Sequence, residues 1–273
     1  MSEKAPELPP MPRYLQLMWG HEPSGRRGPR PTRTIHEIGA AAVALADREG
    51  LDAVSMKAVA AELGLTTMSL YRYVDSKDEL TSVMIDLAYG DPDLAAVERG
   101  PWRRRVEAWA RGVSAACQRH PWSADVTFNG PPITPNALGW MDSGLRALAP
   151  TSLTEQQKLS SLLALDGYVR NFFRTSRQLG VMPGADPEAG EAARTYGRRL
   201  AELVDPERFP ALAGAQADFE DDDADFYETE LAFGITLFLD GIDALDQRAG
   251  SADASDRRTG GARGRRTSTE AGR

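Results

Sequence analysis

Eight consecutive residues concentrate groups able to read a polyanion: Thr66-Thr67-Met68-Ser69-Leu70-Tyr71-Arg72-Tyr73. Thr67, Ser69 and Tyr71 offer hydroxyls and Arg72 a guanidinium. An arginine can hold a guanine edge through two hydrogen bonds, worth about 1–3 kcal/mol of discrimination. Tyrosine and serine hydroxyls suit phosphate oxygens, which position a protein on a duplex without reading its sequence. Shortly downstream, Ser76-Lys77-Asp78-Glu79 opens a helix whose free N–H groups, together with Lys77, would clamp a phosphate. Lys57 stands at the start of the preceding short helix, near the same surface.

Such a surface needs two short helices held at a fixed angle. Met56, Val59, Ala60 and Leu63 have helical spacing and make one apolar face. Gly64 follows at the position after the helix C-cap, where a left-handed backbone is often required. Leu65 plugs the corner, Thr66 caps a second helix, and Leu70 and Tyr73 face inward. Ala60, four residues before the glycine, is small enough to let the second helix approach closely. A short helix, a glycine turn and a second short helix form a helix-turn-helix. A helical hairpin inside a bundle core is the alternative, but a core hairpin has no use for so many exposed hydroxyls.

The rest of the chain bounds the setting. Its 273 residues make one large domain or two smaller ones, long enough to need no disulfide staple. Cys117 is the only cysteine, which suits a reducing, cytoplasmic compartment. No apolar run is long enough to span a membrane, and residues 1–30 lack the apolar stretch of a secretory signal. The net charge of −8 argues against a general nucleic-acid sponge, but it is unevenly spread. From Arg26 to Lys77 eight basic residues face six acids, whereas from Asp186 to Glu230 fourteen acids face four arginines. Period-two alternation is absent, and capping pairs such as Thr34 with Glu37 recur, so an all-α fold is expected. The expected helices are 34–49, 56–63, 66–73, 77–89, 101–119, 134–148, 153–180, 187–204 and 224–247, with a short one near 121–127. Four parts follow. Residues 1–33 are a basic, flexible arm carrying Arg26, Arg27, Arg30 and Arg33, with an apolar patch at 14–19. Residues 34–90 hold the helix-turn-helix, 91–248 a larger helical domain, and 249–273 a disordered, arginine-rich tail. The arm is either a solvated linker or a second contact to backbone or minor groove.

Residues 34–90 resemble the DNA-binding domain of the tetracycline-repressor (TetR) family of transcription regulators. The resemblance is carried by the helix Ile35 to Glu49, the string Gly50 to Met56, Ala60 to Leu65, and Leu70-Tyr71-Arg72-Tyr73-Val74 followed by Lys77-Asp78-Glu79-Leu80. It implies an all-helical homodimer, with an N-terminal three-helix reader and a C-terminal domain that dimerises and binds a small-molecule effector. It also implies contacts to double-stranded DNA, a palindromic operator, at Arg33, Lys57, Thr66, Thr67, Met68, Ser69, Tyr71, Arg72, Tyr73 and Lys77. The family's tetracycline and magnesium ligands cannot be matched residue by residue in this chain.

In the rear half, Phe226, Leu231, Ile235, Phe238, Ile242 and Leu245 form one stripe, and further apolar residues cover most of the remaining surface. A helix apolar nearly all round must be covered on both sides. Two such helices per chain would pair across a twofold axis through Leu162, Leu165, Val169, Phe226, Glu230, Phe233, Gly234, Leu237 and Gly241. Monomer core is the other reading of both helices. Trp109, Trp122, Phe128, Trp140, Tyr168, Asn171 and Phe172 are candidates to line an effector pocket, although aromatics at helical spacing also serve as plain core. The acidic run Asp218 to Asp225 lacks the spacing of a calcium loop, and His21, His36 and His120 are scattered, so neither metal nor cofactor is expected. No nucleophile, base or phosphate-binding loop argues for an enzyme. Two readings remain in play: a ligand-responsive regulator, most often a repressor, and a constitutive dimeric DNA-binding protein without effector.

Overall fold

The structure, a computed structural model, describes residues 10–21, 33–127, 130–183, 187–216 and 226–264, and among these there is no strand. The helices are α1 (Arg13–Met18), α2 (Ile35–Glu49), α3 (Met56–Glu62), α4 (Thr67–Leu70), α5 (Lys77–Tyr89), α6 (Leu94–Glu98), α7 (Trp102–Arg119), α8 (Pro135–Leu148), α9 (Glu155–Leu179), α10 (Pro187–Leu203), α11 (Pro210–Gln216) and α12 (Phe226–Gly264). Single 3-10 turns cover Leu51–Ala53 and Pro121–Asp125. Two compact units result: residues 1–94 with 115–143, and 95–114 with 144–273. The division falls inside α7 and α8, so the first unit includes a length of chain that returns to it from well beyond α5.

In the first unit, α2 begins where expected. Thr34 accepts from the Glu37 N–H, and the Glu37 carboxylate accepts from the Thr34 N–H, which completes the capping box. The bond from the Thr34 N–H, with those from the Arg33 and Thr34 side chains, favours the ionised form and holds the Glu37 carboxyl below its usual range. Ile35, Ile38, Ala42 and Leu45 of α2 are buried, as are Leu80, Val83, Met84 and Ala88 of α5. Gly39 marks the closest approach of these two helices: a Cβ there would overlap the side chains of Leu87 and Val83. The turn after α3 has the expected form. Gly64 adopts φ +65°, its N–H bonds the Ala61 carbonyl, and the Leu65 N–H reaches back to the Ala60 carbonyl at 2.8 Å. These are the paired bonds that close a helix through a left-handed residue.

Several expectations need correction. Residues 13–18, read as part of a flexible arm, form helix α1, which packs on α2 and α5. Leu15 and Met18 are buried there, and Trp19 Nε1 donates to the Ile133 carbonyl at 3.1 Å. A six-residue amphipathic turn amid Pro and Gly carries too little periodicity to be seen in the sequence. The recognition helix ends at Leu70 rather than residue 73, and α6 and α11 were not expected. Helix α12 continues to Gly264, past the boundary at 248 that composition suggested. Arg26, Arg27, Arg30, Phe128 and the acidic run at 218–225 lie outside the described residues.

In the second unit, α9 opens with a capping box between Thr154 and Gln157 and closes on Gly180 in the left-handed conformation. It packs against α12 through an aromatic cluster. Tyr168 stacks on Phe172 at 5.8 Å, Phe172 lies 5.3 Å from Tyr227, and Tyr168 lies 5.5 Å from Phe238.

Two substitutions test this account. Leu15→Ala should lower the unfolding free energy by about 2–4 kcal/mol, because α1 is docked rather than free; a loss below ~0.5 kcal/mol in denaturant titration would show α1 undocked in solution. Gly64→Ala meets no neighbour within 4 Å, so the strained backbone alone should cost about 1–2 kcal/mol.

Candidate nucleic-acid interface

The interface is assembled from two short helices and the start of a third. Ser55 caps α3 by accepting from the Ala58 N–H at 3.1 Å, which leaves Lys57 exposed in the first turn. Thr66 caps α4, accepting from the Ser69 N–H, and its hydroxyl pairs with the Ser69 hydroxyl at 2.9 Å. Ser76 caps α5, accepting from the Glu79 N–H at 3.1 Å, while the Glu79 carboxylate takes the Asp75 N–H at 2.6 Å. Three helix starts are thus held by Ser or Thr side chains, at positions where first-turn N–H groups otherwise have no partner.

Leu70, 0% exposed, anchors the recognition helix. Its opposite face is open: Met68 is 76% exposed and Tyr71 42%. Lys57, Arg72 and Lys77 are exposed too, and the ion pairs among the described residues leave all three out. Cations without a carboxylate partner are what a phosphate backbone requires. Thr67 and Ser69 are half-buried, and the Ser69 hydroxyl is shared with Thr66, so these two act at closer range. Arg33 lies beside this group but is bound to Glu37 at 3.2 Å. Tyr73 faces inward, as the residue pattern predicts and unlike the DNA contact that the resemblance implies: it is buried, and its phenol oxygen accepts from the Arg33 N–H at 3.4 Å. Its ring supports the reader instead of offering a face to DNA.

The described candidates for an effector pocket are divided between the two units. Trp122 and Trp140 belong to the first unit. There Trp122 Nε1 donates to Asp47 at 2.7 Å and Trp140 Nε1 to the Gly90 carbonyl at 2.9 Å. Trp109, Tyr168, Asn171 and Phe172 belong to the second unit. Trp109 is buried core, Tyr168 and Phe172 pack in the aromatic cluster, and Asn171 is exposed and accepts from Arg174. A cavity of about 340 Å³ beside α1 and α5 and one of about 580 Å³ along α9 and α12 have none of these residues in their walls.

The residues expected at a dimer surface divide by exposure in the single chain. Leu162, Leu165 and Val169 are buried in the chain. Gly234 is covered by the ring of Tyr168, whose hydroxyl donates to the Glu230 carbonyl at 3.0 Å. Phe226, Phe233, Leu237 and Gly241 are exposed, and Leu163, outside the expected set, is 75% exposed. The 580 Å³ groove between α9 and α12 follows the same side, with Ala164, Leu237, Gly241 and Leu245 in its walls.

One residue that sequence reasoning missed is Asp86 of α5. It is 3% exposed, and its Oδ1 accepts from the N–H groups of Asn136 at 2.9 Å and Ala137 at 3.1 Å, in the first turn of α8. Burial raises its pKa, against the lowering effect of the Thr134 hydroxyl and these two amides. No local signal marks an aspartate that caps a helix about fifty residues away.

Comparison with known proteins agrees with this geometry. Residues 38–83 match the family described as bacterial regulatory proteins, tetR family, and residues 94–245 match the tetracyclin repressor-like C-terminal domain. The HTH-type transcriptional repressor DrrR1 of Streptomyces coeruleorubidus is 36% identical over 240 residues, covering 85% of this chain and 86% of its own. The HTH-type transcriptional repressor Rv1353c of Mycobacterium tuberculosis is 25% identical over 236 residues, covering 84% of this chain and 88% of its own. Among solved structures, apo ActR from Streptomyces coelicolor superposes with a TM-score of 0.63 at 23% identity, over 82% of this chain and 100% of ActR. ActR in complex with actinorhodin gives 0.63 at 22%, over 78% and 97%. At that identity the likeness is one of fold. With more than half of its length matched by the C-terminal description and its reader by the N-terminal one, this chain belongs to the TetR family of transcriptional regulators.

Proposed function

We propose that the chain is an effector-responsive repressor that binds a palindromic operator as a homodimer in the cytoplasm and is released by a small molecule. The observation that carries this reading is the recognition surface: Met68 and Tyr71 exposed on the helix, flanked by Lys57, Arg72 and Lys77 outside the ion pairs. A single four-residue recognition helix reads too few base pairs to be specific by itself. Two readers set one helical turn apart, about 34 Å, double the site and make it palindromic. The exposed apolar residues Leu163, Phe233, Leu237 and Leu245 supply the surface for pairing through α9 and α12.

Repression fits the printed description of the relative DrrR1, and release by a ligand fits the ActR complexes with actinorhodin and (S)-DNPA. The mechanism is a population shift: an effector favours a conformation whose readers are mis-spaced for successive major grooves. A second reading, a constitutive dimeric binder, is favoured by the absorption of Tyr168 and Phe172 into packing.

Selection of bound sequences from a random duplex library tests the function. Recovery of a palindrome with half-sites about one turn apart supports it, and enrichment of no sequence overturns it. On the recovered site, Arg72→Ala should cost about 1–3 kcal/mol and relax base preference. Lys77→Ala should weaken all sequences alike and reduce the salt slope by about one. Leu237→Asp should leave the monomer folded, since the side chain is 57% exposed, and shift sedimentation from dimer to monomer. An effector screen on the same duplex separates the two readings: release by any tight-binding compound favours the first.

A further inference from the structure

We propose that Asp86 is a positioning residue that fixes α5, and through it the recognition helix, to α8. The proposal rests on the functional reading above and names the joint through which that function is regulated.

Helix α8 takes its N-terminal cap from another helix. First-turn N–H groups have no partner within a helix and lie at its positive end. Here the Asp86 carboxylate takes those of Asn136 and Ala137. The Thr134 hydroxyl, at the position of a local cap, lowers the pKa of the same carboxylate. In return the Asn136 side-chain amide donates to the Asp86 carbonyl at 3.0 Å. One turn on, Trp140 Nε1 donates to the Gly90 carbonyl at 2.9 Å, and the Trp140 ring meets Tyr89 edge-on at 6.2 Å. The hydroxyl of Tyr89 lies 3.3 Å from Cys117 Sγ on α7. The last turn of α5 is therefore held by both helices that the unit division crosses.

The joint has two settings rather than a range. Parting α8 from α5 would strand a buried carboxylate and two amides together, so the helices move as one or separate fully. The other end of α5 carries Ser76 and Lys77, and Asp86 lies roughly 13 Å along the axis from Lys77. Leu80, one turn on from Lys77, is fully buried, and α5 packs on α2, which itself packs on α3. At its far end α8 is held as closely: a Cβ on Gly144 would lie 2.8 Å from Leu162 of α9. A shift of α8 therefore reaches the DNA-facing end of α5 as a rigid displacement.

The test is hydrogen–deuterium exchange on the full chain, with and without the duplex recovered by selection. In the wild-type protein, operator should slow exchange in the α8 peptide 138–148, remote from the reader, by about fivefold or more. Asp86→Asn keeps the size but presents an amide to the two N–H groups. In that variant operator affinity, read by fluorescence anisotropy, should stay within about threefold while the response of peptide 138–148 disappears. A residue that merely stabilised the fold would lower the melting temperature and leave that response intact. Should Asp86→Asn fail to fold, Asn136→Ala removes only the return bond and should diminish the response. No slowing in the wild-type protein, or equal slowing in the variants, would overturn the joint. A chain that binds no duplex would overturn the functional reading instead.

Discussion

The reader depends on how closely α2 and α5 approach. Gly39 allows it by lacking the Cβ that would strike Leu87 and Val83. At that separation Ile38 and Ala42 of α2 reach a shared core with Leu80, Val83 and Met84 of α5, and all five are at most 1% exposed. Against this core α3 lays Val59 and Ala60, and α4 lays Leu70. Lys57, Arg72 and Lys77 stand on three different elements, so no local interaction sets their mutual spacing. Only the common core does.

Electrostatics is then a matter of what is left out. Along the chain arginines are repeatedly matched with carboxylates, as in Arg103 with Asp240, Arg111 with Glu107 and Glu228, and Arg170 with Asp166. Exposed pairs of this kind add little to stability. They do remove charge from the field that a duplex would meet. Lys57, Arg72 and Lys77 stand outside these pairs, which leaves their charge available to a phosphate backbone.

Much of the reader was legible because its determinants are local. Thr34 with Glu37, Ser76 before Lys77, and Gly64 after Leu63 each act within a few residues, and each appears in the structure as expected. The rear half was less legible because its determinants are distant. A helix apolar nearly all round announces that it is covered, but not which stripe meets its own unit and which a partner. So the sequence could not show that Leu162, Leu165 and Val169 are buried in the chain while Leu163 between them is exposed. The same limit hid Asp86, whose partners lie in α8, and the bond that Trp122 makes to Asp47 of α2. Helix α1 escaped for another reason: two buried anchors, Leu15 and Met18, are too few to stand out as a pattern.

The return of residues 115–143 to the first unit bears on modularity. A chain divided after α5 would carry the reader away without Trp122, Asn136 and Trp140, leaving Asp47, Asp86 and the Gly90 carbonyl without the donors that engage them. The two halves are therefore not freely exchangeable cassettes. A hybrid regulator built by joining this reader to a foreign sensor would have to transplant that returning segment too, and recombination that preserves function is confined to exchanges that keep the segment with its reader.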